Sequence, residues 1–286
     1  MRVLGLGIVT LLACPAEAQE VRQSSPPPGP PHGMTTGVPP AATGWSITIG
    51  AAPVLGPAWQ GSRQMALSLF PDLRVNYGDT LFASVPDGIG WNAVNRDGWR
   101  AGLLAKIRFG RDERNGGSPF LIAGGSDALA GMGNIRAAGE VGGFVEKSFG
   151  PRRAWRTRAE VRQGFGGHDG VVADLSAAYR TRIGRAIVSA GPRMTLASGN
   201  VMRTYFGISP VQSARTGLAR YRADGGVLSY GLGGNIVRPL NRRSAITLFT
   251  SLERLGGPAA DSPLIRERGQ RMQATLGLGY GFRFGL

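Results

Sequence analysis

From Met272 to Leu286 the chain reads Met-Gln-Ala-Thr-Leu-Gly-Leu-Gly-Tyr-Gly-Phe-Arg-Phe-Gly-Leu, with an apolar or small residue at every even position and a polar residue, Gly or Arg283 at every odd one. Successive side chains of a strand point to opposite faces. This segment therefore carries a continuous apolar stripe ending in Tyr280, Phe282 and Phe284, backed by a polar one. Hydrocarbon on one face and a wet interior on the other is the environment of a transmembrane β-barrel strand. A spanning helix needs about 20 apolar residues, and no segment offers that length without charges or glycine clusters, so helical membrane topology is excluded.

The first residues carry an address. Arg2, an apolar run from Val3 to Ala13, and the small-x-small site Ala16-Glu17-Ala18 predict a secretory signal peptide at 1–18, cut before Gln19. Cys14 is the only cysteine, so no intramolecular disulfide can form. Leu11-Leu12-Ala13-Cys14 also loosely fits a lipoprotein signal, which would acylate Cys14 instead. Residues 19–43 are rich in proline, with little to bury, and predict a disordered tether: either a periplasmic leash that touches peptidoglycan or a partner, or a plain leader. Residues 44–286 predict a single barrel domain.

Period-2 segments recur along that domain. Trp99, Ala101, Leu103, Ala105, Ile107 and Phe109 are predicted to face lipid, with Arg100, Lys106 and Arg108 facing the lumen. Over 134–149 the outward set is Ile135, Ala137, Val141 and Val145, against Arg136, Glu140, Phe144 and Glu146; over 154–165 it is Trp155, Ala159, Val161 and Phe165, against Arg156, Arg158, Glu160 and Arg162. Val171, Ala173, Leu175, Ala177 and Tyr179 oppose Asp174, Ser176, Arg180 and Arg182, and Val188, Ala190, Met194 and Leu196 oppose Ser189, Arg193 and Thr195. Leu228, Tyr230, Leu232 and Ile236 lie over Ser229 and Asn235, and Ile246, Leu248 and Leu252 over Thr247, Ser251 and Glu253. In the last segment Arg283 joins the lumen set.

Short turns at Gly150-Pro151, Gly184-Arg185 and Asn241-Arg242 alternate with long loops at 111–133, 200–224 and 257–270, the asymmetry of outer-membrane barrels. Pro71, Tyr77-Gly78-Asp79 and Pro86-Asp87-Gly88 break 64–95 into three short strands or leave one long one, giving twelve strands or ten; we read twelve. A soluble β-sandwich would show the same alternation, but the signal peptide, the aromatics near strand ends and the density of charge opposite the apolar face all favour the membrane. A small barrel is just wide enough for its side chains to fill. Opposite inward charges are therefore expected to pair and plug the lumen, with a narrow anion-preferring channel along Arg100, Arg108, Arg158, Arg180 and Arg193 as the alternative.

The formal net charge is +15, carried almost wholly by arginine, since Lys106 and Lys147 are the only lysines. A signal peptide and the lack of a basic helix or interleaved aromatic cluster exclude nucleic acid. Outer-membrane lipid and the phosphates of lipopolysaccharide are the expected acidic neighbours; solvated loops would also absorb the excess. Histidines occur only at His32 and His168. A membrane hydrolase would need His168 and Asp169 to meet a serine such as Ser209 or Ser262, and nothing in the spacing brings them together, so no catalytic residue is predicted. Clustered metal ligands are lacking beyond Asp112-Glu113, and Gly131-Met132-Gly133 lacks the rest of a dinucleotide loop; no metal or cofactor is expected.

Tyr205-Phe206-Gly207-Ile208-Ser209, then Gln212, Ser213, Gly217-Leu218 and Tyr221, followed by Leu252-Glu253-Arg254-Leu255 and Ala259-Ala260-Asp261-Ser262-Pro263-Leu264, resemble the signature of the MipA/OmpV family of MltA-interacting outer-membrane proteins. Gly110-Arg111-Asp112-Glu113 and Gly167-His168-Asp169-Gly170 match its wording upstream, so the resemblance spans the barrel. It implies a barrel without known enzymatic activity. In its best-known member it also implies a scaffold joining a murein-degrading lytic transglycosylase to a bifunctional penicillin-binding peptidoglycan synthase. The long proline-rich tether departs from the family's usual compact N-terminus.

Overall fold

The computed structural model describes residues 44–116 and 118–285; the expected signal peptide and tether lie outside them. Thirteen strands follow in chain order: β1 (Trp45–Pro57), β2 (Met65–Tyr77), β3 (Leu81–Ser84), β4 (Gly88–Arg96), β5 (Trp99–Arg108), β6 (Leu121–Gly124), β7 (Ala138–Phe149), β8 (Trp155–Phe165), β9 (Val171–Ile183), β10 (Ala186–Ala197), β11 (Gly226–Pro239), β12 (Ser244–Leu255) and β13 (Met272–Gly285). All pair antiparallel, and β1 closes the ring by pairing β13 through Ile47↔Phe284 and β2 through Trp45↔Tyr77. Twelve strands make this closed barrel; the breaks at Tyr77-Gly78-Asp79 and Pro86-Asp87-Gly88 separate β2, β3 and β4, whereas Pro71 lies within β2, paired opposite Ala51. No helix among the described residues is long and apolar enough to cross a membrane.

The remaining strand has a structural reason. The short β3 covers only the lower part of β2, from Arg74 to Tyr77. Above it the loop after β5 returns as β6 and pairs Ala66, Leu67 and Ser68, so the unsatisfied edge of β2 is completed by a loop.

The faces divide as the alternation requires. Ile49, Leu73, Ile89, Leu103, Ile107, Val141, Val161, Leu232, Leu252, Leu276 and Leu278 are all exposed, while Ser46, Thr48, Glu140, Glu160, Arg162, Thr247 and Ser251 are buried. Soluble monomers rarely expose apolar patches beyond a few hundred Å²; a belt around a closed wall is instead solvated by lipid. Trp45, Tyr77, Trp99, Trp155 and Tyr179 sit exposed toward the short-turn end, with Trp45 on Tyr77 and Trp155 on Tyr179 each at 5.0 Å between ring centroids.

Three expected placements differ. Residues 134–137 precede β7 and lie outside the strand, joined to the preceding loop by the Arg111↔Ile135 bridge and by Asn134 accepting from the Glu113 amide, and Arg136 is a solvent-exposed loop residue. Phe109 lies past the end of β5 and packs its ring edge-on to Phe120 at 6.1 Å. Leu228 faces the protein interior, because a register shift opposite Thr195 and Leu196 inserts it as an extra residue and reverses its side chain.

Candidate functional site

At one end of the barrel the loop 58–64 and the three long loops fold together into a cap that contains four short helices: α1 (Gly199–Phe206), α2 (Pro210–Thr216), α3 (Gly257–Ala260) and α4 (Pro263–Arg268). Local sequence starts two of them. Ser209 and Gln212 form a reciprocal capping box with Pro210 in the first turn of α2, and Ser262 accepts from the Leu264 amide with Pro263 next to it in α4. The Ser262 hydroxyl donates to the Phe206 carbonyl at 2.6 Å, and the Tyr221 hydroxyl to that of Pro258 at 2.9 Å. Gln212 donates to the Met132 carbonyl, Trp59 to Ser126 Oγ, and Arg268 to the carbonyls of Ala128, Ala130 and Thr216.

Trp59, Leu129, Met202, Phe206, Leu264 and Ile265 are fully buried in the core these bonds enclose. Of the remaining motif residues, Gly207 ends α1 where a Cβ would meet the Arg203 carbonyl, and Gly217 ends α2 in the left-handed region. Asp261 stays exposed and pairs with Arg271 at 3.3 Å.

Below the cap the inward side chains separate into two walls. Ala52, Val54, Phe70 and Phe249, with Phe120 against them, give an apolar wall on β1, β2 and β12. Opposite, β5 and β7 to β9 carry an ionic wall. Arg162, whose side chain has no solvent contact, donates to Glu140 at 2.6 Å, to Asp174 at 2.7 Å and to Glu160. Lys106 meets Glu160 at 2.6 Å, Arg108 meets Glu140 at 2.5 Å, and Thr195 donates to Asp174 at 2.6 Å.

Toward the short turns Arg158 bridges Glu160 at 2.7 Å and Glu146 at 3.6 Å, and Arg156 reaches Glu146 at 3.5 Å. On the far side Arg193 pairs with Glu253 at 3.1 Å. Arg283 donates to the Arg242 carbonyl; among the described residues Arg100 Nε is buried with no partner, and Arg180 is solvent-exposed with no ion pair.

The two upstream motifs converge with Tyr205 where cap and wall meet. Arg111 donates to the Tyr205 carbonyl at 2.6 Å, His168 packs its ring 6.1 Å from that of Tyr205, and His168 Nε2 lies 2.9 Å from Glu140. Gly164 makes room for the imidazole, since a Cβ there would sit 2.1 Å from the ring. Glu113 accepts from the Gly131 and Gly133 amides at 3.0 and 2.8 Å and so ties the start of the long loop 111–133 to its end. Beneath Arg111 and Tyr205 lies a cavity of about 230 Å³ that Arg108, Arg193, Glu140, Glu253, Trp59 and Ser229 also line. Burial lowers the Arg111 guanidinium to about 10, with Tyr205 pulling the other way, and burial raises the Tyr205 phenol.

The histidine chemistry imagined from sequence is not assembled: His168 is engaged by Glu140, Asp169 accepts from the Gly166 amide, Ser209 caps α2 and Ser262 bonds Phe206. Among the described residues no group of three or more His, Cys, Asp or Glu is placed to hold a metal ion.

A closed twelve-stranded wall, an apolar belt facing outward and charges facing inward define an outer-membrane β-barrel protein of a Gram-negative bacterium. The chain belongs to the family described as MltA-interacting protein MipA, which matches residues 49–284. No curated protein matches it. Among solved structures it is similar to an outer membrane channel from Pseudomonas putida F1 (13% identity, covering 87% of this chain and 98% of that one, TM-score 0.45). It is also similar to the NanC porin (9%, 83% and 98%, 0.37) and to an anion-selective porin from Comamonas acidovorans (11%, 84% and 98%, 0.31).

Proposed function

We propose that the protein is a non-catalytic scaffold that links the outer membrane to peptidoglycan-remodelling enzymes, a lytic transglycosylase and a bifunctional penicillin-binding synthase. The observation that carries this reading is the rim at the short-turn end. Arg152, Arg153, Arg182, Arg185, Arg242 and Arg243 are all exposed there, around turns that face the periplasm in barrels of this kind. Clustered like charge of this sort speeds the encounter with an acidic surface and orients it. The family description, which names an interaction with MltA, supports the same partner class. At the opposite end the exposed Arg215, Arg220, Arg222 and Arg266 of the cap suit lipopolysaccharide phosphates.

Crosslinking in intact cells followed by detergent extraction tests the scaffold. A lytic transglycosylase is expected in the captured complex, and replacing Arg152, Arg153, Arg242 and Arg243 with Glu is expected to abolish its capture. Recovery of neither transglycosylase nor synthase would remove this function.

The second reading, a narrow anion-preferring channel, is favoured by Arg100 and Arg180, inward cations without carboxylate partners among the described residues. Planar-bilayer recording decides it: anion-selective steps would establish the channel, and silence would leave the lumen plugged.

A further inference from the structure

Arg111 is 6% exposed and has no carboxylate partner among the described residues: its bond from Nη1 goes to the Tyr205 carbonyl, and its Nε is buried without an acceptor among them. The Tyr205 hydroxyl is likewise buried without a partner among the described residues. Both side chains line the same cavity of about 230 Å³. The other cations on that cavity are committed, Lys106 to Glu160, Arg108 to Glu140 and Arg193 to Glu253. A buried guanidinium left without a counter-charge is costly, and a water molecule would satisfy its donor but not its charge.

We infer that this cavity is a binding site for a small organic oxyanion, a carboxylate or a phosphate ester, which Arg111 receives through its free edge and the Tyr205 hydroxyl completes. Arginine binds both groups as a planar fork. The hydroxyls of Ser229, Ser251 and Thr275 on the remaining rim suit a ligand that carries hydroxyls of its own. The cavity lies below the 300–1,000 Å³ common for drug-sized ligands, which sets the size at roughly that of one monosaccharide. Trp59 sits beside the site and the other tryptophans lie in the barrel strands, so ligand entry has a local optical reporter.

The test is calorimetric titration, with tryptophan fluorescence in parallel, of the full detergent-purified chain with glucuronate and with inorganic phosphate, using sodium chloride of equal ionic strength as the baseline. Saturable binding above that baseline is expected. Arg111→Gln should weaken it at least about tenfold and Tyr205→Phe about fivefold, the scale of one charge-assisted and one neutral hydrogen bond. Tyr205→Phe removes only an unpartnered hydroxyl, so it keeps the test valid if Arg111→Gln disturbs the cap. Preference for glucuronate identifies a carboxylate ligand, and preference for phosphate a phosphate-bearing one; either sustains the site. No saturable signal with either anion, or affinities unchanged in both variants, overturns it.

Discussion

Arg162 Nε donates to Glu140 Oε2 at 2.6 Å inside the barrel, and neither side chain has appreciable contact with solvent. Glu140 also accepts from Arg108 and meets His168, so one carboxylate joins β5, β7 and β8 to the loop that follows them. A buried pair adds little net stability compared with an apolar substitute, but removing one member strands the other. Glu140→Gln is therefore expected to destabilise the barrel by about 3–5 kcal/mol. The temperature at which the compact, heat-modifiable gel band disappears should fall clearly below that of the unaltered chain. An unchanged melting temperature would mean that the ionic wall does not hold the strands together.

On the outer face the solvent is lipid. Leu103 is 60% exposed at the middle of β5. Leu103→Arg should cost about 2–4 kcal/mol, the expense of a cation near the bilayer midplane. The same change at Thr250, which is also outward, would isolate the effect of charge from that of lost apolar area. Refolding yield into lipid vesicles, measured against urea, reports both.

The cap has its own core, so it should come apart independently of the wall. Met202 is fully buried there. Met202→Ala is expected to cost about 2–5 kcal/mol, paid locally: hydrogen exchange should accelerate across 199–225 and 256–271 while the strands keep their protection. Uniform loss of protection would show that cap and wall fold as one unit.

Two cap phenols titrate late. Burial raises Tyr205, and burial followed by Asp261 and Asp224 raises Tyr221. A group whose folded pKa lies above its unfolded value of about 10 contributes stability that is complete below that pH and is lost as pH rises through the folded value. Ultraviolet difference titration should therefore show a fraction of phenolate forming late, and Tyr205→Phe and Tyr221→Phe should each remove part of it.

The wall was legible in the sequence and the cap was not. Alternation around Leu103, Val161, Leu252 and Leu276 announces its own orientation, because period 2 leaves only two choices and lipid selects one. Leu228 broke the rule because a bulge adds a residue without altering the local apolar pattern. Arg136 kept the right parity but lay beyond the strand end, which parity does not report. The cap helices are short, and their packing depends on contacts such as Ser262 to Phe206, far apart in sequence. Ser209-Pro210-Val211-Gln212 was nevertheless a visible capping box and could have revealed α2. Pairing of the inward charges follows from their alternation; that Arg111 has no counter-charge among the described residues depends on tertiary placement alone.

Site-directed spin labelling along β13 tests the division of faces most directly. Single cysteines at 274 to 280 in a Cys14→Ser background would be labelled and the protein reconstituted in lipid. Collision with oxygen should be high at the even positions and collision with a water-soluble nickel complex high at the odd ones. Equal access of the nickel complex to both sets would contradict a strand that separates acyl chains from a charged interior.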